Sequence, residues 1–235
     1  MTLTALTQRA LDAYGGEERW RNAAAVECRL SAHGWAFRLK MRRAMKELAI
    51  RATLALPYVV TQDWPKRGQR AIVDGPGEVR IETDAGERVA SRANPRRYFP
   101  GGRRTFRWDD LDMAYFGGYA AWNYLTFPAL LLREDIAWSE VSETTLEARF
   151  PESLPTHSPV QRFHIDGESG LLRQHDYTAE VFGGWAKAAN VVEEHGEWEG
   201  IPYPSRRKVT PRKGDGTPRA FPLLVGIEIK NWRLV

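Results

Sequence analysis

The sequence predicts a mostly β domain of the α+β class: an antiparallel meander with an N-terminal helix and a central helix packed into it as a plug. Three observations predict it. From Ala25 onward apolar and polar residues alternate in short runs punctuated by Gly, Pro and Asp, the period of half-buried strands. The connections between these runs are too short for crossover helices, which excludes βαβ units. Residues 108–133 break the alternation and read WDDLDMAYFGGYAAWNYLTFPALLLR, with Asp112 the only charge from Leu111 to Phe127. A helix apolar nearly all round has to be buried.

Taken in order, residues 4–14 form an amphipathic helix with Leu3, Leu6, Ala10, Leu11 and Tyr14 near one face, stopped by Gly15 and Gly16. Residues 17–23 form a second short helical turn that buries Trp20. In the first strand Val26, Cys28, Leu30 and Ala32 alternate with Glu27, Arg29, Ser31 and His33. Trp35, Phe37, Leu39 and Met41 alternate in the same way, which predicts a second strand after a turn at His33 and Gly34. Leu48, Ile50, Ala52 and Leu54 predict a third. Shorter strands are expected at 58–64, 70–74, 78–83 and 88–92, separated by turns at 66–68 and 74–77. Beyond the central helix, strands are expected at 144–150, 160–166, 171–181, 187–198, 205–210 and 223–232, with an exposed turn at 213–218. No linker or repeat interrupts the chain, so residues 1–235 are read as one domain.

The central helix carries its own start signal. Asp109 and Asp110 offer a cap, and Asp112 places a carboxylate in the first turn, where the helix dipole favours it. Ala114, Gly117, Gly118 and Ala121 make a stripe of small residues, and aromatic and aliphatic side chains fill most of the rest. Pro128 ends or kinks the helix. Two interior glycines cost roughly 1 kcal/mol each relative to Ala, which calls for compensation. Either the stripe packs closely on a sheet, or backbone and aromatics form one wall of a ligand pocket.

Composition narrows the function. Nine Trp, eight Tyr and nine Phe suit both sheets and apolar pockets. A net charge of +4 without aromatic-interleaved basic patches does not point to nucleic acid. The densest basic run holds Arg96, Arg97, Arg103, Arg104 and Arg107; it is either a solvated loop or an entrance for an anionic ligand. The single cysteine, Cys28, excludes an internal disulfide and fits a reducing compartment. No apolar run of about 18 residues suggests stable membrane insertion, and residues 1–25 hold no continuous apolar signal core, so a cytoplasmic location is expected. No phosphate-binding glycine loop, zinc spacing or serine-nucleophile elbow occurs. No cofactor and no metal are therefore expected.

The chemical candidates lie in residues 171–181, LLRQHDYTAEV. One face carries Leu171, Arg173, His175, Tyr177, Ala179 and Val181; the other, more polar face carries Asp176 and Glu180. If the first face points inward, Arg173 is an anion clamp, His175 a general base or acid and Tyr177 its proton-donating partner. The preceding strand forms a hairpin with this one. A four-residue loop pairs His164 with Arg173 and puts His164 on the inward face; a one-residue shift puts Phe163 and Ile165 beside His175 instead. On the central helix Asp112 and Tyr115, and Tyr119 and Trp122, are spaced to share faces. Asp112, Tyr115, Tyr119, Trp122 and His164 are thus the candidate substrate-binding residues. His33 is expected in a turn, His157 in a loop at a pocket mouth, and His195 at a rim or bulge.

An N-terminal helix ending in Gly15-Gly16, a short turn bearing Trp20, and a long meander with helices inserted mid-chain together resemble the LolA/LolB-like superfamily of bacterial outer-membrane lipoprotein carriers. The resemblance covers most of the chain and is architectural, so no functional residue carries over by position. It implies an open antiparallel β half-barrel whose concave apolar face is plugged by helices. The superfamily includes acyl-chain carriers and a cofactor-free enzyme of violacein biosynthesis. Two functions are therefore expected. One is a cofactor-independent enzyme acting on a hydrophobic or aromatic small molecule by acid/base chemistry, such as cyclisation, rearrangement or elimination. The other is a non-catalytic carrier or sensor of an acyl or other apolar ligand.

Overall fold

The computed structural model describes residues 4–235; Leu3, expected on the first helix face, lies outside them. Thirteen strands form one antiparallel sheet in the order β6-β5-β4-β3-β2-β1-β13-β12-β11-β10-β9-β8-β7. The first half is β1 (Ala25–His33), β2 (Met45–Thr53), β3 (Tyr58–Gln62), β4 (Gln69–Asp74), β5 (Glu78–Thr83) and β6 (Arg88–Ala93). The second is β7 (Ala137–Ser142), β8 (Thr145–Arg149), β9 (Val160–Ile165), β10 (Leu172–Thr178), β11 (Lys187–Trp198), β12 (Ile201–Pro211) and β13 (Val225–Leu234). Every strand but one pair neighbours its sequence neighbour. The exception is the midline, where β1 pairs with β13, Leu30 opposite Ile229 and Ala32 opposite Ile227. The open antiparallel half-barrel is the architecture expected.

Helix α1 (Ala5–Ala13) starts where the Thr4 side chain accepts the Thr7 amide, and it buries Leu6, Ala10 and Leu11. Gly15, at φ +90, turns the chain into α2 (Glu17–Asn22), which buries Trp20. The predicted strand at Trp35 to Met41 is instead helix α3 (Trp35–Leu39). At Gly34 the backbone leaves the sheet with φ +134, so close to Leu224 that a Cβ would run into its carbonyl. The Trp35 and Ala36 amides then bond the Leu223 and Leu224 carbonyls at 3.0 Å each, not a neighbouring strand. Phe37 is buried, while Trp35, Leu39 and Met41 stay exposed. Alternation there reflected one buried aromatic, not a pleat. The edge strand β7 was missed for the converse reason: with most of its residues exposed, it has no buried alternation to read.

Helix α4 (Asp110–Leu125) crosses the concave side and packs on β2 to β6. Asp109 and Asp112 form a reciprocal capping box, and the short helix α5 (Phe127–Leu130) follows Thr126. The two glycines differ in what surrounds them, although both border the same hollow beside α4. Gly118 lies against β4, where an added Cβ would collide with a Val73 methyl and lie 3.1 Å from the Val73 Cβ. An added Cβ at Gly117 would meet only the flexible end of Met45, at 3.2 Å.

Candidate functional site

Between α4 and the middle of the sheet runs an apolar cleft in two adjoining sections. The outer section, about 390 Å³, opens at Trp185 and Phe221 and is bounded by Leu39, Phe182 and Ala188. Trp185 and Phe221 are 76% and 69% exposed, so the mouth itself is greasy. The inner section, about 60 Å³, lies along Gly117, Ala121 and Tyr124 on α4 and Leu30, Ile50 and Ile227 on the sheet. Phe116, Tyr177 and Val225 line both sections, so the two adjoin at these three residues.

The β9–β10 hairpin takes the second of the two expected registers, with Phe163 opposite His175. A register shift between Leu172 and Gln174 then separates the three candidates of this strand. Leu172, His175 and Tyr177 turn inward, but Arg173 does not. Its side chain is 71% exposed and reaches Asp166 at 3.5 Å. Arg173 is therefore not an anion clamp in the cleft: the shift spends the pleat that would have carried it inward. His164 is likewise on the outer face, bonded to Asp176 at 3.0 Å and Thr145 at 3.2 Å. It lines no part of the cleft, because the realised register gives its inward place to Phe163. Asp176, on the polar face, is buried and paired with His164 and Arg212.

His175 is inward but enclosed. Its Nε2 is 2.6 Å from the Gln161 Oε1, and its ring stacks on Phe163 at 4.2 Å. It belongs to a buried chain in which Gln161 also donates to Thr156 and to the Ser158 carbonyl, and Thr156 donates to Asn123. His175 is not among the residues lining the cleft. Tyr177 is: its hydroxyl lies 2.6 Å from that of Tyr124, which is also 2.8 Å from His157 Nε2, and its ring stacks on His157 at 3.8 Å. Burial pushes both phenols up, Tyr124 to about 12 and Tyr177 well above 10. Both are neutral hydrogen-bonding groups at ordinary pH.

On α4 the remaining candidates divide. Asp112 does not face the cleft; it is wholly buried under Arg92 and Arg104, each at 2.6 Å, and Arg103 at 3.3 Å. It holds the helix start instead of a substrate. Trp122 is core, its Nε1 donating to the Thr53 carbonyl at 2.8 Å. Tyr119 is fully buried against Tyr115 and His157 and lines neither section. Tyr115 borders a separate, more polar hollow of about 630 Å³ beside Arg96 and Glu180. The basic run is thus largely consumed by internal carboxylates: Arg103 and Arg104 by Asp109 and Asp112, Arg96 by Glu180.

Gly117, from the small-residue stripe, lines the cleft together with Tyr124 and Phe116, which no sequence motif singled out. Arg207 and Asn190, both fully buried on the concave side, were also passed over. Their alternation with Val209 and with Ala188 was the available signal.

The buried imidazoles make stability depend on pH. Burial, the larger cause, pushes His157 and His175 well below 6.5; Arg96 adds to the effect at His157, and His157, Arg207 and His164 at His175. Below that pH the unfolded chain binds protons that the folded chain refuses. Their stabilisation is complete above pH 6.5 and is lost on acidification, by about 1.4 kcal/mol per pH unit for each histidine. The urea midpoint should therefore fall between about pH 6.5 and about pH 5, before ordinary carboxylates titrate. A midpoint flat across that interval would mean that both rings protonate freely in the fold.

No protein-family model matches the chain, and no curated protein sequence matches it. Solved structures do. A LolA superfamily protein from Nitrosomonas europaea shares 10% identity at a TM-score of 0.49, over 100% of this chain and 94% of that one. A putative outer membrane lipoprotein-sorting protein domain from Vibrio parahaemolyticus shares 8% at 0.49, over 97% and 91%. A DUF1329 family protein from Desulfovibrio piger shares 10% at 0.44, over 98% and 92%.

Proposed function

We propose that this protein binds and carries an apolar small molecule, such as an acyl chain, in the cleft between α4 and the sheet. The carrying observation is the apolar lining from Phe221 at the mouth to Tyr124 at the inner end, its two sections adjoining at Phe116, Tyr177 and Val225. Sites of this kind are mostly apolar with few polar groups. His175, the best acid/base candidate, is committed to Gln161 and stands outside the lining. Nile red, an uncharged apolar dye, should bind saturably with a blue-shifted emission. Gentle purification followed by denaturing extraction should release a hydrophobic compound. Failure of the dye to bind, together with an empty extract, would end the carrier reading.

One observation favours a catalytic second reading. The Tyr177 ring lines the cleft, and its hydroxyl is joined to Tyr124 and His157 in a buried hydrogen-bonded chain that could pass a proton. On that reading the extracted compound changes mass on incubation with the protein, and Tyr177→Phe binds it without converting it. An unchanged compound removes the catalytic reading and leaves the carrier.

A further inference from the structure

We propose that Arg207 is an anion anchor at the inner end of the cleft, and that the ligand is an amphiphile whose carboxylate head lies there while its tail runs toward Trp185 and Phe221. The inference rests on the carrier reading and names the class of its ligand.

Strand β12 turns Arg207 to the concave side, opposite Val192 on β11 and Ile227 on β13. The residue is 1% exposed. Its Nη2 donates to the Tyr124 carbonyl at 3.1 Å, in the last turn of α4, and its Cζ lies 5.2 Å from the Tyr124 ring centroid. Tyr124 and Ile227 both line the inner section, so the guanidinium sits directly behind its wall. The negative end of the α4 dipole meets part of the charge. It does not meet the rest: Nε and Nη1 have no acceptor, and no carboxylate pairs with Arg207 among the described residues.

Asn190 repeats the pattern one strand away. It faces the same side, opposite Val209 and His175, and is fully buried, with the Tyr124 hydroxyl beside its amide and bonds left to fill. Two neighbouring polar side chains with unfilled bonds beside an apolar cleft are a costly arrangement for a closed core. They are the arrangement that a polar head group needs. The nearby phenols cannot serve as counter-ions. Burial raises Tyr14 and Tyr124 to about 12 and Tyr177 well above 10, so all three stay neutral. The imidazoles of His157 and His175 are also neutral. One unneutralised cation therefore stands behind the wall formed by Tyr124 and Ile227, a charge that matches a monoanion such as a carboxylate and undercompensates a phosphate dianion.

The test is displacement of Nile red at about pH 8, where a carboxylic acid is ionised, by decanoate, methyl decanoate and decyl phosphate. The wild-type protein should prefer decanoate to its ester by about ten- to a hundredfold, the range expected of hydrogen bonds to a charged group. Arg207→Met should abolish that preference by weakening decanoate alone, with the ligand-free melting temperature equal to or above wild type, because an uncompensated charge has gone. Asn190→Leu should weaken decanoate several-fold and spare the ester, which keeps the test open if Arg207→Met fails to fold. Equal affinity of the wild type for acid and ester would overturn the anchor and leave the apolar carrier standing. Preference for decyl phosphate would overturn the carboxylate assignment. Absence of dye binding would remove both the carrier and its anchor.

Discussion

Asp112→Ala is expected to cost about 3–5 kcal/mol of folding stability, the loss that follows removal of one partner from a buried ion cluster. Asp112 is fully buried, and Arg92 from β6 and Arg103 and Arg104 from the segment between β6 and α4 converge on it. Its carboxylate also accepts the Asp109 amide at 3.1 Å, while Asp109 returns the bond to the Asp112 amide at 2.8 Å. The substitution therefore removes the return half of the capping box, leaves the Asp109 cap itself in place, and strands guanidinium groups that are mostly out of water. Against a usual total of about 5–15 kcal/mol, that is a large fraction. Asp110, which pairs with Arg42 at a half-exposed position, is the control; Asp110→Ala should cost no more than about 1 kcal/mol. Urea titrations of both variants measure the difference. Nile red affinity of folded Asp112→Ala should match wild type. Lost affinity at unchanged stability would instead return Asp112 to the ligand site.

Gly117→Leu and Gly118→Leu should fail in opposite ways although the residues are adjacent. Leucine at 117 projects toward Met45 and the inner section, which it would largely fill. Dye affinity should fall at least about tenfold, while stability changes by no more than about 1 kcal/mol, since the helix gains from losing a glycine. Leucine at 118 meets Val73 and, beyond it, Val59, both β-branched side chains on sheet strands. Overpacking of that kind costs about 3 kcal/mol and forces α4 off the sheet. Equal losses of stability in the two variants would mean that Gly117 is also a packing residue and that no usable space lies beside it.

The legible part of this molecule was the part governed by periodicity. β1, β2 and β5 were readable because buried residues recur at every second position along each. The apolar helix was legible because nothing but burial accommodates it. Face assignment in β10 was not, since one register shift moved Arg173 outward while leaving His175 and Tyr177 inside. His164 followed the hairpin register, which depends on a loop whose conformation composition does not specify. Tyr177 lines the cleft, but Asp112 and Trp122 are consumed by tertiary partners, Arg92 on β6 and the Thr53 carbonyl. Such partners are set by tertiary contact, and no local pattern announces them. The same holds for Arg207, whose significance lies in what is not near it.

The midline pairing of β1 with β13 has a consequence for synthesis. Translation lays the sheet down from its midline to one edge, passes along α4, and then returns from the far edge to the midline. The first half can collapse on α4 as soon as both exist, because the helix packs on β2 to β6. The strand beside it cannot be completed so early. Until the last strand emerges, β1 presents a row of unpaired amide and carbonyl groups, the kind of edge that recruits other chains. Its closure joins residues almost the whole chain apart, and contacts so distant in sequence form slowly. The nascent protein is thus most vulnerable to association at the place that becomes, in the finished fold, the best protected.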